Sequence, residues 1–259
     1  MKNYLSVFAL QIKSTFSKIL AVIFMMSAAQ LVLFIHILNS GEIVIPNRFT
    51  NEEFLSGIEG ILQDSRAMSF IFAFGFLLVT VILAVNGCRY TSREDYTLRR
   101  LNITEKKAML TKGIYGVLVY ALFIMAEALV MLIICNIYIH FAESHPQIFD
   151  GFISNQTVFL AFYRSNIIHS VLPLEDYFKY ISTFIALISI SFSTAYISYF
   201  VRRKKLFLEA FILVPVILIN FTSTWTAGFA ADVTLIGVSC FILGILITRI
   251  SKEEQAYDR

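Results

Sequence analysis

Apolar runs as long as a bilayer is thick dominate this chain. About 20 mostly apolar residues carry a helix across the hydrocarbon. Residues 19–38, 67–85, 113–139 and 180–201 each reach that length. A last apolar block, 206–250, is too long for one crossing. Split near Thr222–Asp232, it gives spans 206–222 and 232–250. The expectation is an all-α integral membrane protein with six transmembrane helices, forming one domain over residues 1–259.

Composition agrees. The chain is 58% hydrophobic and 15% charged, where soluble chains carry about 25% charge. Its mean hydropathy is +0.74. One core in a chain of this size cannot absorb so much apolar surface, so the excess faces lipid. That excludes a soluble enzyme, a nucleic-acid binder and a disordered segment. Cys88, Cys135 and Cys240 are odd in number and sit in or beside apolar runs, against a disulfide framework.

Charge sets the expected orientation, because Lys and Arg concentrate in cytoplasmic loops. Segments 2–18, 89–112, 202–205 and 249–259 hold 17 of the 21 basic residues. Both termini are therefore expected to be cytoplasmic. Phe152 to Leu172 is apolar enough to tempt a seventh crossing, but it carries Asn155, Gln156, Arg164, Asn166 and His169. It reads as an outer-face segment, an interfacial helix at most. Ser27-Ala28-Ala29 imitates a signal cleavage site, yet the apolar run continues to Leu38 and reads as an uncleaved anchor.

Leu5, Phe8, Ile12, Phe16 and Ile19 recur at helical spacing, with Lys2, Lys13 and Lys18 among them. This predicts an amphipathic N-terminal helix suited to an anionic inner leaflet. Between spans 2 and 3, Ser92 and Asp95 have capping-box character. Glu94 and Asp95 suit the positive end of a helix, and Arg99 and Arg100 its negative end. Asn102 ends that helix and Thr104 caps the next. A short self-capped cytoplasmic helix of this kind can receive a docked partner; an ordinary basic loop is the plainer alternative.

Glu94, Thr97-Leu98, Arg99-Arg100, Leu101-Asn102-Ile103-Thr104 and Lys112 together resemble the coupling-helix region of type-2 ABC transporter permeases. The six-span layout and the amphipathic N-terminus resemble that family too. Motif detail covers about twenty residues. The chain departs from the family pattern at Asn102, where a Pro is common, and in placing its longest outer segment between spans 3 and 4. The resemblance implies cytoplasmic ABC ATPase subunits docking on Glu94, Thr97, Leu98, Arg99, Arg100, Leu101 and Ile103. It also implies a second permease copy or a sister permease. ATP and Mg would act in the ATPase, since this chain has no Gly-x4-Gly-Lys-Ser/Thr. No cofactor, metal or catalytic residue is expected in this chain itself.

Inside the spans, Glu127 is the costly residue, because a carboxylate in hydrocarbon must face protein or water. It reads either as a pathway contact for a cation or polar cargo, together with Gln30, or as a hydrogen-bonded strut with Gln30 or a serine of span 4 as partner. Ser182, Ala186, Ser189 and Ser193 share one helix face, which suits close helix packing. The four histidines show no strong metal spacing. The function expected is a permease in a multi-pass, bacterial plasma-membrane setting, exporting an amphipathic peptide, lipid or drug. Antimicrobial-peptide immunity is one family role that fits. A lipid-modifying membrane enzyme and a non-transporting accessory or sensor subunit are the alternatives.

Overall fold

Backbone amides in hydrocarbon have no water to bond, so lipid-spanning apolar runs close their hydrogen bonds within helices. The computed structural model describes residues 2–40, 44–46, 53–55, 66–86, 105–144, 177–202, 209–222 and 228–257. Six helices occupy nearly all of them: α1 (Lys2–Ser40), α2 (Arg66–Val85), α3 (Glu105–Ser144), α4 (Tyr177–Arg202), α5 (Glu209–Thr222) and α6 (Gly228–Tyr257). A two-stranded antiparallel pair, β1 (Val44–Pro46) and β2 (Glu53–Leu55), follows α1, with Ile45 opposite Phe54. All the helices except α5 are long and apolar enough to cross a membrane. The chain is a helical, multi-span membrane protein. α5 has 14 described residues and contains Pro215.

Contacts fix the relative directions of five helices. Thr15 meets Tyr115 and Gln30 meets Glu127, so residue numbers rise together and α1 runs parallel to α3. Asn86 meets Gln11, and a Cβ on Gly75 would touch Met26, so α2 is antiparallel to α1. Ser191 bonds Gly113 and Ser198 reaches Met109, so α4 is antiparallel to α3. Ser182 meets Asp232 and Ser189 meets Ser239, so α6 runs parallel to α4. α5 packs against α4 and α6 and touches α2.

The core follows this arrangement. Ile19, Met26, Phe72, Phe76, Tyr120 and Phe123 fill the α1–α2–α3 side. A second cluster, with Phe34, Leu38, Met68, Val130, Met131 and Ile134, closes the end where α1 and α3 finish. α4 is the central helix and is buried along most of its length. That explains its composition. A helix surrounded by protein gains from Ser and Thr, which let backbones approach and bond across the interface. Its expected small-residue face, Ser182, Ala186, Ser189 and Ser193, is fully buried.

The N-terminal segment expected to be an amphipathic helix is continuous with the first span. α1 is a single helix of 39 residues, about 58 Å at 1.5 Å per residue, and its first turns continue into the span. The buried stripe there is Val7, Gln11, Thr15 and Ile19, whereas Leu5, Ile12 and Phe16 remain exposed. Polar residues win the inward face because α2 and α3 offer them partners. Asn86 Nδ2 donates to Gln11 Oε1 at 2.7 Å. Thr15 Oγ1 donates to Gln11 O, so the Tyr115 hydroxyl donates to Thr15 at 2.8 Å. The last helix starts four residues before the expected 232–250 span. Asp232 does not interrupt the helix: α6 already begins at Gly228.

Candidate functional site

Among the described residues, each half of the bundle buries one acidic side chain, Glu127 or Asp232. On the first side, parallel packing brings position 30 of α1 level with position 127 of α3. Gln30 Nε2 donates to Glu127 Oε1 at 2.9 Å, and each residue is 1% exposed. The two candidates proposed from the sequence are thus adjacent, and Gln30, rather than a serine of α4, is the recorded partner of Glu127. Their surroundings are apolar. Phe72 packs on Phe123, one turn before Glu127, and Met68 joins Val130 and Met131, one turn after it. The pair therefore lies toward the Arg66 end of α2.

The bonding of the pair is incomplete. Glu127 Oε2 and Gln30 Oε1 are both inaccessible and have no hydrogen-bond partner among the described residues. A carboxyl and a carboxamide so placed can take up a donor or share a proton.

On the second side, Ser182 Oγ lies 2.8 Å from Asp232 Oδ1 and 2.8 Å from Lys179 O. Its single proton serves one of them at a time. Asp232 is fully buried and Lys179 is 4% exposed. Along α4, Ser182 stands nine residues from Ser191, about 14 Å, and Ser191 packs against Gly116 of α3. Antiparallel counting from that contact puts Ser182 and Asp232 level with Met125, two residues from Glu127. The two buried acids share one layer of the bundle, on opposite sides of it.

Sequence reading missed Asp232 and Lys179 as interior groups. Asp232 had a signal, an acid in the middle of the apolar block 206–250, which was read as part of the break between two spans. Lys179 had none, since it precedes a span in the position of an ordinary flanking charge.

The remaining polar contacts act as struts. Thr80 Oγ1 donates to Phe76 O, so the Tyr120 hydroxyl donates to Thr80 at 2.9 Å. Ser191 donates to Gly113 O at 2.6 Å and Ser189 to Ser239 O at 3.1 Å. Among the described residues no cluster of three His, Cys, Asp or Glu side chains stands ready to hold a metal. The expected ATPase-docking residues Glu94, Thr97, Leu98, Arg99, Arg100, Leu101 and Ile103 lie outside the described residues, as does 145–176, most of the expected outer segment. Comparison with family models, curated proteins and solved structures finds no match to this chain.

Proposed function

We propose that the chain is the membrane-spanning permease subunit of an ATP-driven exporter of the type-2 ABC class. In this reading six helices cross the bacterial plasma membrane, with both termini cytoplasmic. The observation that supports it most is the parallel run of α4 and α6. Two consecutive long helices can run parallel only if the chain between them returns along the bundle. α5 lies between them and is the element available for that return. Counting α5 as a crossing makes six alternating passes, and the four basic segments then share one face. A cytoplasmic ATPase needs such a face, with the 93–103 segment as its dock. Energy arrives in trans, from ATP and Mg in that ATPase.

The apolar outward faces of the helices suit lipid and a second permease copy or sister subunit. Phe24, Phe70, Phe74 and Phe229 are each more than 60% exposed. The cargo in this reading is an amphipathic peptide, lipid or drug, and the Glu127–Gln30 pair is its polar contact in the pathway.

The deciding experiment is mild-detergent co-purification of the tagged full-length chain from its native membrane, with ATP hydrolysis measured on the product. A stoichiometric ABC ATPase with nucleotide turnover is the expected result. A chain recovered alone and without ATPase activity overturns the proposal. Turnover of a lipid by that isolated chain would move the assignment to an enzyme.

A further inference from the structure

The Glu127–Gln30 pair lacks one donor. Glu127 Oε1 accepts from Gln30 Nε2, while Glu127 Oε2 and Gln30 Oε1 are buried without partners. These two idle atoms are both acceptors, and they belong to groups already joined through their other atoms. Turning the amide over would set Gln30 Oε1 against Glu127 Oε1, again acceptor against acceptor. Either way the pair is short of a hydrogen to donate.

A carboxylate in this position would be charged, desolvated and half bonded. An unpaired ion away from water is among the costliest groups a protein can hold, while a neutral carboxyl costs far less and donates one bond. A hard metal cation is a poor substitute, because it takes six or more oxygen ligands. One helical turn away on either side the buried residues are Met26 and Phe34 on α1, and Phe123, Ile124, Val130 and Met131 on α3. Ser27, also on that stretch of α1, spends its hydroxyl on Ile23 O.

We propose that Glu127 and Gln30 form a proton-binding site within the membrane: Glu127 carries a proton on Oε2, and the carboxyl closes a two-bond ring with the Gln30 carboxamide. The ligand is a single proton, and Gln30 holds the carboxyl in the orientation that accepts it. This deepens the permease reading at the same pair of residues, but the test is independent of transport. A failed ATPase co-purification leaves it standing, and its own failure leaves the permease standing.

The test is infrared absorption of the full-length chain in lipid bilayers at neutral pH, with and without side-chain 13C-labelled glutamate. An undissociated carboxyl gives a carbonyl band above the amide bands, and a carboxylate does not. The expected result is one such band that shifts on glutamate labelling and is lost in Glu127→Gln. Gln30→Leu provides a second route should Glu127→Gln fail to accumulate. It removes the amide donor to the carbonyl, so the band should survive and move to higher frequency. Spectra with glutamate bands only from carboxylates overturn the proposal, as does a band unmoved by Gln30→Leu or retained in Glu127→Gln. A band that appears only when sodium is withheld also overturns it, assigning the pair to a cation instead.

Discussion

Ser182 on α4 and Asp232 on α6 meet at 2.8 Å, and seven residues further along both helices Ser189 meets Ser239. The constant offset of 50 residues makes these helices parallel neighbours. It also makes Ser182 a donor to a fully buried acid. A double-mutant cycle of Ser182→Ala and Asp232→Asn, followed by thermal unfolding in detergent, should give a coupling of about 0.5–2 kcal/mol. Ser182→Ala alone should cost about 1–3 kcal/mol by leaving a buried acceptor short of a donor. Additive effects would show that the contact carries no energy of its own.

Parallel α4 and α6 also make a prediction about sidedness. Ser6, Ser144 and Ser251 are exposed near the start of α1, the end of α3 and the C-terminal part of α6. Each can be replaced by Cys, one at a time, in a chain from which Cys88, Cys135 and Cys240 have been removed. In intact cells an impermeant maleimide should modify Ser144→Cys alone. After the membrane is opened, Ser6→Cys and Ser251→Cys should react as well. Reaction of Ser251→Cys in intact cells would mean that α5 does not cross.

How far the sequence reached depends on which forces act locally. Apolar length alone located the five helices long enough to cross, because lipid imposes it residue by residue. The cost of burying charge singled out Glu127, and Gln30 was one of the few polar groups available to answer it. The face of α1 was not legible in the same way. Hydrophobicity marked Leu5, Ile12 and Phe16, which stay exposed, but gave no sign that Gln11 and Thr15 turn inward to meet Asn86 and Tyr115. In lipid an apolar stripe has no reason to turn inward, whereas a hydrogen bond does. Asp232 was misread for the same reason. Its partner Ser182 is 50 residues away, and no local pattern announces a parallel pair.

The α3–α4 crossing depends on the absence of side chains at two positions. A Cβ at Gly113 would come within 2.5 Å of the Phe192 ring, and one at Gly116 would collide with Ser191 Oγ. Gly113→Ala and Gly116→Ala should each destabilise the bundle by about 1–3 kcal/mol through overpacking. Gly237 and Gly244 on α6 have nothing within 4 Å of the equivalent position. Gly237→Ala and Gly244→Ala should therefore be neutral or slightly stabilising, given alanine's helix propensity. Thermal unfolding of the four variants separates the two classes. Equal effects across all four would remove the close crossing as the explanation.

Glu127→Gln preserves shape and removes only the capacity to hold a charge or a proton. With Gln30 at 2.9 Å, an amide at position 127 can keep one bond to it and hold the helices together. Protein level and melting temperature should therefore stay close to those of the parent. Cargo export by cells carrying the variant should fall by at least about tenfold, the loss of about 1.4 kcal/mol at the pathway contact. Unchanged export would reduce the pair to a strut between α1 and α3.

The proposed dock is tested by Leu98→Asp with Leu101→Asp, three residues apart on one face of the expected 93–103 helix. An apolar pair is the part of such a helix that a partner would bury, while Arg99 and Arg100 can stay solvated at its rim. Two carboxylates in a desolvated contact, each lacking a cationic partner, should weaken ATPase binding by at least about a hundredfold. The spans lie elsewhere in the sequence, so insertion and protein level should not change. Co-purification should then recover the variant chain without its ATPase, or with an ATPase whose hydrolysis no longer responds to cargo. Should the ATPase remain bound and responsive to cargo, docking belongs to another part of the cytoplasmic face, with the basic 202–205 segment the next candidate.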